Sequence, residues 1–188
     1  QVLHDYGKFI SYLQGCYYTA EDMGLVTDDI KEIYYNNRYT TCIPKTIGGS
    51  DNPSYYTAKG VVSALQTTLN YQNIDITTCS IGIEGIGNVG RHVFDFIIKQ
   101  NPNKVYISDI NKSKLKEIQL LYPQVIITND ILNEPINIYM PCARGSTITS
   151  NNVNTLKCSI ICGAANNQLE SDSLSTILFS NGILYIPD

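Results

Sequence analysis

Ser80-Ile81-Gly82-Ile83-Glu84-Gly85-Ile86-Gly87-Asn88-Val89-Gly90 runs an apolar strand pattern directly into glycines spaced G-x-G-x-x-G. A helix pattern from Val89 to Lys99 follows. In such a turn Gly85 permits the tight reversal and Gly87 lets the backbone approach a pyrophosphate. Gly90 lets the helix pack on the strand. Amides at the helix start, around Asn88 and Val89, then face the anion.

Working outward, the next apolar run, Val105-Tyr106-Ile107-Ser108, ends at Asp109. An acid placed roughly 20 residues past the glycines accepts hydrogen bonds from ribose hydroxyls in a dinucleotide fold. Its charge repels a 2′-phosphate, so the expected cofactor is NAD rather than NADP. The plainer alternative is that Asp109 caps the helix starting near Asn111. Glycine spacing alone is weak evidence, but strand, glycines, helix and acid occur here together.

Beyond these units, strands are expected at Cys79–Glu84, Lys104–Ser108, Val125–Thr128, Ile136–Met140, Ser159–Cys162 and Ile183–Ile186. Helix patterns fill most of the gaps, at Val89–Lys99, Ser113–Leu121 and Ser171–Phe179. This alternation predicts an α/β fold: a doubly wound parallel sheet of the Rossmann type, with helices on both faces. Before it, Val61, Val62, Leu65, Thr68 and Leu69 recur at helical spacing between Ser54 and Tyr71. Further upstream, Tyr6–Leu13 reads as a short helix, Tyr17-Tyr18-Thr19 as a short strand, and Thr27-Asp28-Asp29 as a helix start. The turn-rich run Gly48-Gly49-Ser50-Asp51-Asn52-Pro53 suggests two domains, 1–44 and 45–188.

Composition narrows the partners. The 188 residues carry a net charge of -4 with only 13 Lys+Arg, and the basic residues do not cluster, so no nucleic-acid footprint is expected. No apolar run is long enough to span a bilayer, so no membrane partner is expected. The six cysteines form no C-x-x-C pair, and a metal site is not expected. Most of them fall in apolar strand patterns, as reduced thiols of a cytoplasmic protein would. The first residue is Gln1, which suggests a piece of a longer protein.

Several segments together resemble the glutamate, leucine, phenylalanine and valine dehydrogenases, and the leucine branch most. Tyr18-Thr19-Ala20-Glu21-Asp22-Met23-Gly24 resembles that family's catalytic-aspartate segment. Gly49-Ser50-Asp51-Asn52-Pro53-Ser54 with Thr57-Ala58-Lys59-Gly60 resembles its turn and nicotinamide-side helix. Gly85–Gly90, Ser108-Asp109-Ile110-Asn111, Met140-Pro141-Cys142-Ala143 and Gly163-Ala164-Ala165-Asn166-Asn167-Gln168-Leu169 resemble its cofactor domain. Residues 1–44 would then be a remnant of the N-terminal catalytic domain.

The resemblance implies NAD-dependent oxidative deamination of an apolar L-amino acid to its 2-oxo acid, by a protein that assembles as a homo-oligomer. It implies Asp22 as the catalytic carboxylate. Thr57 would meet the nicotinamide carboxamide, Ala143 would lie beside the cofactor, and Asn166 and Asn167 would fix the nicotinamide end. Ala20 and Thr41 would line the substrate side-chain pocket. Ordinary structural roles compete: a turn at Glu21-Asp22, a helix-start cap at Thr57, and turn-forming asparagines. The family's glycine-rich segment with its catalytic lysine has no counterpart here, and Lys8, Lys31 and Lys45 lack that context. These residues alone are therefore expected to bind NAD without turnover. The alternative is a degenerate, non-catalytic NAD-binding remnant. Glu84 stands where the family often has Gln, and Arg91 is the expected partner for its charge. His92 is expected to make a helix-surface or interhelix contact.

Overall fold

The computed structural model describes residues 1–22 and 24–188, so Met23 of the aspartate segment lies outside the described residues. The chain divides into two compact units, Gln1–Pro53 and Ser54–Asp188.

In the first unit, helices α1 (Val2–Tyr12) and α2 (Thr27–Tyr34) pack together through buried Gly7, Ile10, Ile30 and Ile33. A Cβ on Gly7 would sit 2.6 Å from the Ile33 carbonyl oxygen, so the helices approach backbone to backbone there. The Asp29 carboxylate accepts the Val26 N–H at 3.0 Å, so an acid one turn in closes the start of α2. The strand expected at Tyr17–Thr19 reduces to one parallel bridge, Thr19 to Thr40. Too few residues pair there for a ladder to continue.

Residues 45–53, expected with the second domain, pack with the first. The Asp51 N–H donates to the Ile43 carbonyl at 3.0 Å, and the Gly49 N–H to that of Pro44 at 3.0 Å. The turn-forming run thus folds back on what precedes it, and the division falls at its end.

The second unit holds α3 (Ser54–Gln72), β1 (Ser80–Glu84), α4 (Asn88–Ile98), β2 (Lys104–Ser108), α5 (Lys112–Leu121) and β3 (Ile126–Ile127). It continues with β4 (Ile138–Pro141), β5 (Ile160–Cys162), α6 (Leu174–Ser180) and β6 (Leu184–Ile186). Its six strands are parallel, in the order β3-β2-β1-β4-β5-β6. All six expected strands are present: β2 has the expected bounds, β4 starts two residues later and ends one later, and the other four are shorter.

Alternation along the strands feeds two cores. Ile81, Ile83, Val105, Ile107, Ile138, Met140 and Ile160 point to one face, under α3, α4 and α5. Tyr106, Tyr139 and Ile161 point to the other, against Ile148, Val153, Leu174 and Leu178. Burial on both faces is what makes these strands near-continuously apolar. Gly82 leaves room on the second face, where an added Cβ would lie 2.9 Å from both Ile131 and Ile136.

Candidate functional site

The strand order reverses direction between β1 and β4. In an open parallel sheet a crevice forms at such a point, outside the carboxyl ends of the strands. Gly85 ends β1 there at φ 90°, a left-handed conformation that favours glycine. A side chain on it would also meet Ala143, with Cβ to Cβ at 2.7 Å. Gly90, in the first turn of α4, is constrained by packing alone: its Cβ would lie 1.9 Å from the Gly85 carbonyl oxygen.

Gly87 differs from both. Its φ is -78° and ψ -160°, open to any residue, and an added Cβ would meet nothing within 4 Å. Neither its backbone nor its described neighbours require glycine. Glycine is a preferred helix N-cap, and the space above Gly87 is open. Gly87 caps α4 without a side chain, so no side-chain cap serves the amides at its positive end, where Asn88 and Val89 begin the helix.

Asp109 follows β2, beside that turn. Its Oδ2 accepts the Ile86 N–H at 2.6 Å and its Oδ1 the Asn111 N–H at 2.7 Å. It does not cap α5. Asn111 does, with its Oδ1 accepting from Ser113 at 3.1 Å and Lys114 at 3.3 Å. A carboxylate has about four acceptor sites, so these two bonds leave it acceptor capacity.

The same rim continues through the loops after β4 and β5. Ala143 is exposed at the end of β4, whose Cys142 N–H donates to the Glu84 carbonyl at 2.7 Å. Asn166 and Asn167 are exposed in the loop after β5, with Asn167 at φ 51°. The Ser146 N–H donates to the Asn167 carbonyl at 2.7 Å, and a bridge joins Ile148 to Leu169. Gly145 permits this approach, since its Cβ would lie 2.5 Å from the Asn166 oxygen. Thr57 lies in the first turn of α3, which begins at Ser54, so it is not the cap. His92 meets the Tyr55 ring edge-on at 5.7 Å, an interhelix contact.

Glu84 is not served by Arg91 as expected. Arg91 reaches Asp95 at 3.2 Å and Glu117 at 3.6 Å. Side chains alternate across a strand, and Glu84 falls on the face of Tyr139, whose hydroxyl donates to it. Burial, then the facing Glu84 charge, raises the Tyr139 phenol above its ordinary value.

In the first unit, the Thr19–Thr40 bridge sets Ala20 beside Thr41, whose N–H donates to the Thr19 carbonyl at 2.8 Å. Asp22 is exposed in the turn that follows, where its carbonyl accepts the Leu25 N–H at 3.1 Å. The turn is held by Glu21 instead, which accepts from Thr27 at 3.4 Å and from the Asn52 amide. Burial raises the Glu21 pKa above its ordinary value. Lys45 pairs with Asp51 at 3.3 Å.

Motif reading missed three residues that shape this rim. Tyr139 could have been found from its place on the face of Glu84. Gly145 and Asp188, whose Oδ2 accepts the Asn167 N–H at 2.6 Å, carry no local signal, because the contacts that tie them to the rim are distant in the chain.

A six-stranded parallel sheet with a glycine turn and an acid at its switch point defines a doubly wound α/β domain of the Rossmann type. The model of the Glutamate/Leucine/Phenylalanine/Valine dehydrogenase family matches residues 48–117 and 111–188, and the chain belongs to that family of enzymes. It is 32% identical to the phenylalanine dehydrogenase of Caldalkalibacillus thermarum, over 100% of this chain and 53% of that protein. It is also 32% identical to the leucine dehydrogenase of Bacillus cereus, over 97% of this chain and 50% of that one. The crystal structure of L-tryptophan dehydrogenase from Nostoc punctiforme aligns with a TM-score of 0.74 at 28% identity, covering 100% of this chain and 54% of that one. The chain spans about half the length of the curated relatives it matches. Among the described residues, no helix is long and apolar enough to cross a membrane.

Proposed function

We propose that these residues form the cofactor-binding part, with a portion of the catalytic part, of an NAD-dependent L-amino acid dehydrogenase. Its reaction is the reversible oxidative deamination of an apolar amino acid to the 2-oxo acid. The observation that carries the reading is the turn itself: Gly87 caps α4 with open space above it, beside a carboxylate with acceptor sites to spare.

In this reading the turn Gly85–Gly90 holds the diphosphate on the amides of Asn88 and Val89. Asp109 takes the adenosine ribose hydroxyls and disfavours a 2′-phosphate, which supports NAD over NADP. Ala143 walls the crevice, Asn166 and Asn167 orient the nicotinamide end, and Thr57 holds the carboxamide. NAD, when bound, supplies the hydride acceptor. The remaining chemistry is proton transfer: the substrate amine must lose a proton before hydride leaves the α-carbon. Water then adds to the resulting imine, and ammonia departs. Asp22, exposed and thus reachable by substrate, is the carboxylate we assign to that shuttle. Ala20 and Thr41 would face the substrate side chain.

The relatives named for phenylalanine, leucine and tryptophan support an apolar substrate. Family resemblance supports assembly of the whole protein as a homo-oligomer. Titration of the 188-residue chain with NADH, followed by nicotinamide fluorescence, tests the binding half. Saturable binding that prefers NADH to NADPH is expected, and no binding at millimolar concentration would end the proposal. Turnover of Leu, Val or Phe by the whole protein, lost in Asp22→Asn with NADH affinity retained, tests the catalytic half.

A further inference from the structure

We propose that Asp188 is a positioning residue for the nicotinamide end of the site, acting through the Asn166–Asn167 turn. The proposal rests on the dinucleotide reading above and adds to it a residue from the far side of the sheet.

Asn167 adopts a left-handed conformation, φ 51°, which asparagine tolerates better than most residues. Both of its backbone polar groups are held. Its carbonyl accepts the Ser146 N–H at 2.7 Å, from the loop after β4. Its N–H donates to Asp188 Oδ2 at 2.6 Å, from the segment after β6. The turn is therefore clamped from two neighbouring strands, while the side chains of Asn166 and Asn167 stay exposed at the carboxyl rim.

Asp188 is itself fixed: its Oδ1 accepts the Tyr185 hydroxyl at 3.1 Å. Burial, then the facing Asp188 charge, pushes the Tyr185 phenol up to about 12, so it remains a donor at neutral pH. Burial also acts to raise the Asp188 pKa. The Asn167 amide and the Tyr185 hydroxyl outweigh it and hold the carboxyl below the usual aspartate value. A charged acceptor on a backbone amide makes a stronger bond than a neutral one. The sugar-binding carboxylate, Asp109, hangs from β2, three strands away from β5 in the sheet. Loss of Asp188 is thus expected to disturb one end of the ligand and spare the other.

The test uses the 188-residue chain with NADH and with ADP-ribose, which lacks the nicotinamide. Asp188→Ala is expected to weaken NADH binding about tenfold while ADP-ribose affinity stays within about twofold. Asp188→Asn keeps an acceptor oxygen and should recover part of the loss, and Tyr185→Phe should show a smaller loss of the same kind. Equal weakening of both ligands would mean general loosening of the fold and would overturn the assignment, as would unchanged NADH affinity. Should the unaltered chain bind neither ligand, the dinucleotide reading itself falls, and the role of Asp188 with it.

Discussion

The Ile86 N–H donates to the Asp109 carboxylate at 2.6 Å, which ties the glycine turn after β1 to the end of β2. Ile86 is buried, so its amide depends on this partner. The carboxylate therefore has a structural task as well as its proposed ligand task. Asp109→Ala should cost about 1–3 kcal/mol of stability through the stranded amide. It should also erase the preference for NADH over NADPH. Paired urea melts and dinucleotide titrations separate the two effects, and a preference that survives the substitution would remove Asp109 from the sugar site.

Gly87 and Gly90 should part company under the same substitution. Gly90→Ala drives a methyl to 1.9 Å from the Gly85 oxygen and should destabilise the domain by about 2 kcal/mol or more. Gly87→Ala meets no neighbour and should cost no more than about 1 kcal/mol, through the poorer helix cap. Its NADH affinity should nevertheless fall by about tenfold or more, because the methyl occupies the space assigned to the diphosphate. Tight binding by Gly87→Ala would place the diphosphate elsewhere.

Much of this architecture was readable in advance. The four inner strands announced themselves because burial on both sheet faces makes them largely apolar runs. The glycine turn was readable because two of its glycines answer to local geometry. Upstream, the Thr19–Thr40 contact is a single bridge, and one bridge leaves no period to detect. The partner of Glu84 was misjudged because nearness along a helix start was weighed over sharing a sheet face. Asp188 was silent because its meaning lies in Asn167, 21 residues away.

Tyr139 offers a check on the Glu84 contact. Tyr139→Phe removes the donor to a carboxylate at the carboxyl end of β1 and should cost about 1–3 kcal/mol. Glu84→Gln should cost less, since an amide oxygen still accepts. Denaturant midpoints for the two single variants and the double variant give the coupling, and a coupling near zero would mean the contact does not form in solution.

Alkaline pH should weaken the second unit. Burial pushes the Cys158 and Cys162 thiols up to about 11 and that of Cys142 up to about 12. An unfolded thiol ionises near ~8.5. Folded pKa values lie above unfolded ones, so this contribution is complete below ~8.5 and declines as pH rises. Urea midpoints should be level between pH ~7 and ~8 and fall from there toward ~11. A flat profile across that window would show that the thiols reach water in the native state.

Two glycines three positions apart answer to different masters. The one at 90 is demanded by the polypeptide itself, and the one at 87, in the function proposed above, by what the polypeptide carries. A lineage that ceased to carry a dinucleotide would drift at 87 long before it drifted at 90.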